Sequence, residues 1–168
     1  MRFLFSISFL LSIISLSADD GYRLWLKYDK ISNATALKNY SKKIKSIQIT
    51  YDNTDIIQSA VHELQVGLRG LLSKEIPIAS ANHGAIILEK SPKVINNEGY
   101  RLTFDGKNIH IQSSSDKGIL YGSFALLRAI QTLQPIENMD ITDAPKIAIR
   151  MLNHWDNVNG TIERGYAG

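Results

Sequence analysis

The sequence predicts an α/β (α+β) fold, a two-layer sandwich of a mixed sheet with two helices on one face. Three observations lead there. Two stretches of helical periodicity, 56–72 and 116–133, are interleaved with short strand patterns. The turn Asp105-Gly106-Lys107-Asn108 joins two alternating runs into an antiparallel hairpin. The order strand, helix, two or three strands, helix, strand departs from the strict alternation of a doubly wound sheet.

The elements follow in order. Ile47-Gln48-Ile49-Thr50-Tyr51 alternates apolar and polar residues, the period of a half-buried strand. Asp52 to Asp55 supplies turn and capping residues. Ile57, Ala60, Val61, Leu64, Leu68, Leu71 and Leu72 then form one apolar stripe of a helix that ends before Pro77. After a turn at Asn82-His83-Gly84, the run Ala85 to Leu88 reads as a buried strand. Tyr100, Leu102 and Phe104, then Ile109 and Ile111, are the inward positions of the hairpin. Ser113 to Asp116 holds the caps of a second helix, with Leu120, Phe124, Leu127, Ile130 and Leu133 expected on its buried face. Gly118 and Gly122 lie early in that helix, where a missing side chain permits close approach to a sheet. Asp143-Ala144-Pro145 reads as a linker, and Ile147 to Leu152 as a last strand. Tyr22, Trp25 and Tyr28 mark an N-terminal segment packed on the domain, and Lys38 to Lys45 a basic surface stretch.

Size and composition narrow the function. A chain of 168 residues holds about one domain and falls short of the roughly 250 residues of a complete (β/α)8 barrel. With no cysteine there is no disulfide framework, thiol nucleophile or thiolate metal site. Nineteen Lys and Arg against sixteen Asp and Glu are spread along the chain, so no basic patch marks a nucleic-acid partner. Residues 1–18 have the layout of a signal peptide: a basic start, an apolar run from Phe3 to Leu16, and small residues up to Ala18. Cleavage after Ser17 or Ala18 fits equally. The competing reading, a membrane anchor, needs a run of about 18 or more apolar residues. The expected location is secreted or periplasmic, with no membrane association after cleavage.

Common catalytic motifs are absent. His62-Glu63 opens like a zinc-protease helix, yet Val66 stands where the second histidine belongs. His62, His83 and His110 are therefore expected to be solvated, and no metal or cofactor is expected. The segment from Asn153 to Tyr166 differs, because it gathers an imidazole, an indole, two carboxylates, amides and a guanidinium after a strand. Strand ends opening into polar loops are where α/β enzymes place their sites. Trp155 offers a flat apolar face to a sugar ring, and Arg164 a forked contact for a carboxylate. Asp156 and Glu163 offer the two carboxylates of an acid/base pair, but a loop fixes no distance between them.

Arg150-Met151-Leu152-Asn153-His154-Trp155-Asp156-Asn157, followed by Gly160-Thr161-Ile162-Glu163-Arg164-Gly165-Tyr166-Ala167-Gly168, resembles the first barrel strand and loop of family 67 α-glucuronidases. Asp20 to Tyr28 resembles the start of their mature chain. Glu98-Gly99-Tyr100-Arg101-Leu102 and Lys117-Gly118-Ile119-Leu120-Tyr121-Gly122 resemble their N-terminal accessory domain, a type shared with hexosaminidases. The resemblance implies a signal peptide over 1–18, a hexosaminidase-like accessory domain over 19–143, and the start of a truncated catalytic (β/α)8 barrel over 144–168. It implies inverting hydrolysis of (4-O-methyl)glucuronic acid from substituted xylo-oligosaccharides. The catalytic carboxylates of the family lie on later strands, so the segment alone is expected to be inactive. Trp155 takes the sugar-pocket role by motif match, and His154, Asp156, Asn157 and Arg164 are candidate substrate-binding neighbours. The resemblance leaves open whether the full-length form is a homodimer. Two other readings stand beside it: a non-catalytic exported carbohydrate-binding or protein-interaction domain, and an accessory domain of a hexosaminidase-type enzyme.

Overall fold

A computed structural model describes residues 27–94 and 96–151. Helix α1 spans Ala34–Lys43, strand β1 Ser46–Ile49, helix α2 Asp55–Leu72 and strand β2 Ala85–Lys90. The hairpin strands are β3, Tyr100–Phe104, and β4, Ile109–Ser113, followed by helix α3, Asp116–Gln131. A turn of 3-10 helix at Ile136–Asn138 leads into β5, Asp140–Asp143. The five strands form one sheet in the order β1-β2-β4-β3-β5. β1, β2 and β4 run parallel, and β3 is antiparallel to both β4 and β5. This is the mixed sheet expected from the sequence.

Side chains alternate across the sheet. Ile47, Ile86, Leu88, Leu102, Ile109 and Ile111 are fully buried, and α2 and α3 pack against each other over that side. Each such side chain contributes about 1.5–3 kcal/mol by leaving water. Helix α2 obeys its periodicity: all seven residues of the expected stripe are buried. Thr54 caps it, its hydroxyl accepting from the Ile57 amide at 3.3 Å. Tyr28 is buried where the chain enters the domain, and its carbonyl lies 2.4 Å from where a Cβ on Gly70 would stand.

Four expectations need correction. Lys38 to Lys45 is not simply a surface stretch: residues 38–43 belong to α1, which buries Tyr40, and Ile44 just beyond is fully buried. Asn33 caps this helix by accepting from the Ala36 amide at 3.0 Å, and Lys42 and Lys43 lie at its C-terminal end, where the helix dipole favours them. The lysines conceal a short apolar face of Ala36, Leu37 and Tyr40. Next, the buried face of α3 is rotated from the expected one. Leu127 and Ile130 are buried, but Leu120 and Phe124 are only half-buried and Leu133 lies exposed beyond the helix end. Gly118, Ile119, Gly122, Ser123 and Leu126 take the inner positions instead. Third, Asp143 is not a linker residue; it ends β5, an edge strand whose only apolar member is Ile141. Fourth, residues 147–151 form no strand, and Ile147, Ile149 and Met151 are 67%, 73% and 78% exposed. β5 already occupies that sheet edge, and Pro145 has no amide hydrogen to offer a ladder.

The hairpin turn is fastened by Asp105, whose Oδ1 accepts from the amides of Lys107 at 2.7 Å and Asn108 at 2.6 Å. The Asn108 amide foremost, with the His110 ring and the Lys107 amide, holds the Asp105 carboxyl down from its ordinary 3.8 to about 2. Glu137 is likewise lowered from 4.5 to about 2, chiefly by the Lys43 ammonium, with Asn39 adding a bond at 3.1 Å.

Two predictions follow from these contacts. A Cβ on Gly118 would lie 2.0 Å from Ser113 Oγ and 2.2 Å from the Gly99 carbonyl, so Gly118→Ala must push α3 off the sheet. We expect a loss of about 2–3 kcal/mol in urea unfolding; an unchanged midpoint would contradict the close approach. Second, both lowered carboxyls bind fewer protons in the folded than in the unfolded chain. Their stabilisation is present above about pH 4.5 and lost as pH falls toward 2. Both side chains are about half exposed, so screening keeps the effect modest. The double variant Asp105→Asn/Glu137→Gln should show a shallower fall in unfolding midpoint over that window, and an identical slope would refute the assignment.

Candidate functional site

The predicted substrate-binding residues His154, Trp155, Asp156, Asn157 and Arg164 lie outside the described residues, as does Asn153. Arg150, the first residue of the same motif, lies within them, and its surroundings are informative. Its Nη2 donates to Glu98 Oε2 at 2.7 Å and to the Tyr121 hydroxyl at 3.2 Å. Its guanidinium carbon stands 5.8 Å from the Tyr121 ring centroid, within cation–π range. A further hydrogen bond runs from Nη1 to the Ile147 carbonyl, which folds the side chain back along its own segment. Lys117 Nζ approaches the other oxygen of Glu98 at 3.8 Å. The Arg150 hydrogen bond holds the Glu98 carboxyl below the usual carboxylate range, and Glu98 in turn raises Arg150.

Glu98, Tyr121 and Arg150 come from three separate motif segments singled out in the sequence. The fold brings them together because the loop before β3 is tied to the start of α3. Ser113 Oγ donates to the Gly99 carbonyl at 2.6 Å, Ser115 Oγ to the Asn97 carbonyl, and Ser114 Oγ to the Asn96 carbonyl at 3.4 Å. Ser115 also caps α3, accepting from the Gly118 amide at 3.2 Å. Tyr121 follows one turn later. Glu98 and Arg150 are 52 positions apart, and no local pattern in the sequence announces their pairing.

The opposite face of the sheet is polar. His110 lies there, as expected from its strand position, but it is engaged rather than simply solvated. Its Nδ1 is 3.0 Å from Glu89 Oε1 and its Nε2 is 3.0 Å from Asp105 Oδ2. Gln112 donates to the same Glu89 oxygen at 2.5 Å. Parallel pairing of β2 with β4 sets Glu89 beside Gln112 and Ile87 beside His110. Arg101 forks onto Asp140 at 3.2 and 3.3 Å across the β3–β5 pair. Beside this pair a groove of about 680 Å³ is lined by Lys93, Asn96, Arg101, Gln112, Asp140 and Thr142. It offers polar contacts, and of its two carboxylates, Asp140 and Asp143, Arg101 pairs with the first. His62 and His83 are exposed, as expected. Among the described residues no three His, Asp or Glu side chains are grouped to hold a metal ion.

Comparison with known proteins adds the family. Residues 24–126 match the model of the glycosyl hydrolase family 67 N-terminus, and residues 129–168 that of the family 67 middle domain. The chain is 29% identical to probable alpha-glucuronidase A of Aspergillus terreus, covering 90% of this chain and 20% of that protein. It is 30% identical to probable alpha-glucuronidase A of Aspergillus oryzae, covering 100% of this chain and 22% of that one. The chain thus spans about a fifth of the length of the curated relatives it matches. Among solved structures, a GH138 enzyme targeting pectin rhamnogalacturonan II overlays with a TM-score of 0.51 and 22% identity, covering 62% of this chain and 11% of that one. That likeness supports the fold alone. The sandwich, the convergence of its three motif segments at Arg150 and the two consecutive family matches lead to one conclusion: the chain belongs to glycoside hydrolase family 67.

Proposed function

We propose that this chain is the N-terminal portion of a secreted α-glucuronidase. The enzyme hydrolyses the α-1,2 linkage of (4-O-methyl)glucuronic acid on xylo-oligosaccharides with inversion and needs no cofactor. Residues 1–18 serve as the signal peptide, 19–143 as a hexosaminidase-type accessory domain, and 144–168 as the opening of the catalytic barrel. The observation that carries this reading is the pair of family matches in tandem, with Trp155 and its motif inside the second. The names of the Aspergillus relatives described above, both probable alpha-glucuronidases, support the reaction class.

The chemistry of the motif suits the substrate. A glucuronate ring has apolar C–H faces that stack on an indole, the role of Trp155. Its carboxylate calls for a forked guanidinium, which Arg164 can supply. His154, Asp156 and Asn157 offer donors and acceptors for ring hydroxyls. Inverting hydrolysis also needs a general acid and a general base on opposite sides of the scissile bond, roughly 6.5–9.5 Å apart. We assign those to the part of the enzyme that follows this chain.

The 168-residue polypeptide is therefore expected to release no glucuronic acid from substituted xylo-oligosaccharides, whereas the full-length enzyme releases it. In the full-length enzyme Trp155→Ala should raise KM about tenfold or more, the loss of one stacked aromatic contact. Turnover by the isolated chain, or an unaltered KM in the Trp155→Ala enzyme, would count against the proposal.

A further inference from the structure

Between the end of β5 at Asp143 and Arg150 the chain has only six residues, and Arg150 is where it is fastened back onto the sandwich. The platform that receives it is built rigidly. Gly118 lets α3 sit directly on the Gly99 carbonyl and Ser113, and three serine hydroxyls bind the carbonyls of residues 96, 97 and 99. Glu98 therefore projects from a loop fixed on both sides, and its own amide donates to Asn96 Oδ1 at 2.9 Å. Ala144 lies at the same place, its Cβ 3.4 Å from where a Cβ on Gly99 would stand. Around Arg150 the neighbours Ile147, Ile149 and Met151 are exposed, so burial of apolar surface does not hold this segment. The guanidinium does, through two side-chain partners and one ring face.

We propose that Arg150, held by Glu98 and Tyr121, is a positioning residue: it fixes where the chain enters the segment bearing Trp155 and so couples the accessory sheet to the sugar pocket. The inference rests on the functional reading above. Trp155 is five positions beyond Arg150, and an extended chain over five steps reaches no more than about 18 Å. The anchor thus limits the space in which the indole can be placed. Forked donors suit this task better than a lysine, because they fix direction as well as distance. Misplacement of a binding group by a small distance is costly, up to about a hundredfold in rate.

The test is a charge swap read in two ways. In the 168-residue chain, Glu98→Arg and Arg150→Glu should each lower the backbone 15N order parameters around Arg150, over residues 146–151, from about 0.8 to below about 0.6, and the double swap should restore most of the order. Thermal unfolding should hardly change, since both side chains are partly exposed. In the full-length enzyme, Arg150→Glu should lower kcat/KM on a 4-O-methylglucuronic-acid-substituted xylo-oligosaccharide by about ten- to a hundredfold, mainly through KM. The double swap should recover it, while Arg150→Lys recovers only part. Unchanged order parameters in the single variants, or no recovery in the swap, overturn the clamp. Lowered order parameters with unchanged kcat/KM overturn the positioning role. If the wild-type enzyme releases no glucuronic acid, the functional reading fails, and the order parameters still decide whether the clamp exists.

Discussion

The first turns of α3 lie so close to β3 and β4 that no side chain fits between them. At Gly118 a Cβ would collide with the Gly99 carbonyl and Ser113 Oγ, and at Gly122 with Ile111. This approach decides the rest of the molecule in steps. It turns the helix so that Ile119, Leu126, Leu127 and Ile130 face the core shared with α2. It brings the serines around the N-terminus of α3 within reach of the 96–99 carbonyls. It thereby holds Glu98 and Tyr121 at one corner, where Arg150 arrives.

In the proposed clamp, that corner gives the sheet a role beyond its own packing. The two family matches meet within α3, one ending at residue 126 and the other beginning at 129. Yet β5, which falls in the second match, completes the sheet of the first by pairing with β3. The structural unit therefore runs across the division between matches. The segment that leaves it toward Trp155 departs from a sheet edge and is pinned once more, by polar contacts, at Arg150. Such a joint restricts direction without burying apolar area.

Legibility in the sequence followed the length and uniformity of each pattern. Helix α2 could be read residue by residue because seven apolar positions keep one period over five turns. The hairpin was equally plain, since its turn residues and its alternation agree. Helix α1 was obscured by lysines around a single buried tyrosine, and β5 by having one apolar residue among four. On α3 the close approach expected at Gly118 and Gly122 holds, but the buried face was placed on Leu120 and Phe124 because an apolar count does not mark Ser123 as an inner position. At the site, the motif composition identified Trp155 and its neighbours as candidates. The partners of Arg150, and Glu89 as a partner of His110, were invisible, because strand pairing and helix docking bring them together from 21 to 52 positions away.

The most direct test of this account is the contact at the corner itself, in solution. Nuclear Overhauser effects should be observed between the Arg150 side-chain protons and the ring protons of Tyr121, and they should vanish in Glu98→Arg and return in the Glu98→Arg/Arg150→Glu chain only as contacts from position 150 to the loop at 98. Their presence in the wild-type chain is the predicted result. Their absence there, with the β3–β4 hairpin and α3 otherwise intact, would contradict the claim that the accessory sandwich positions the segment that follows it.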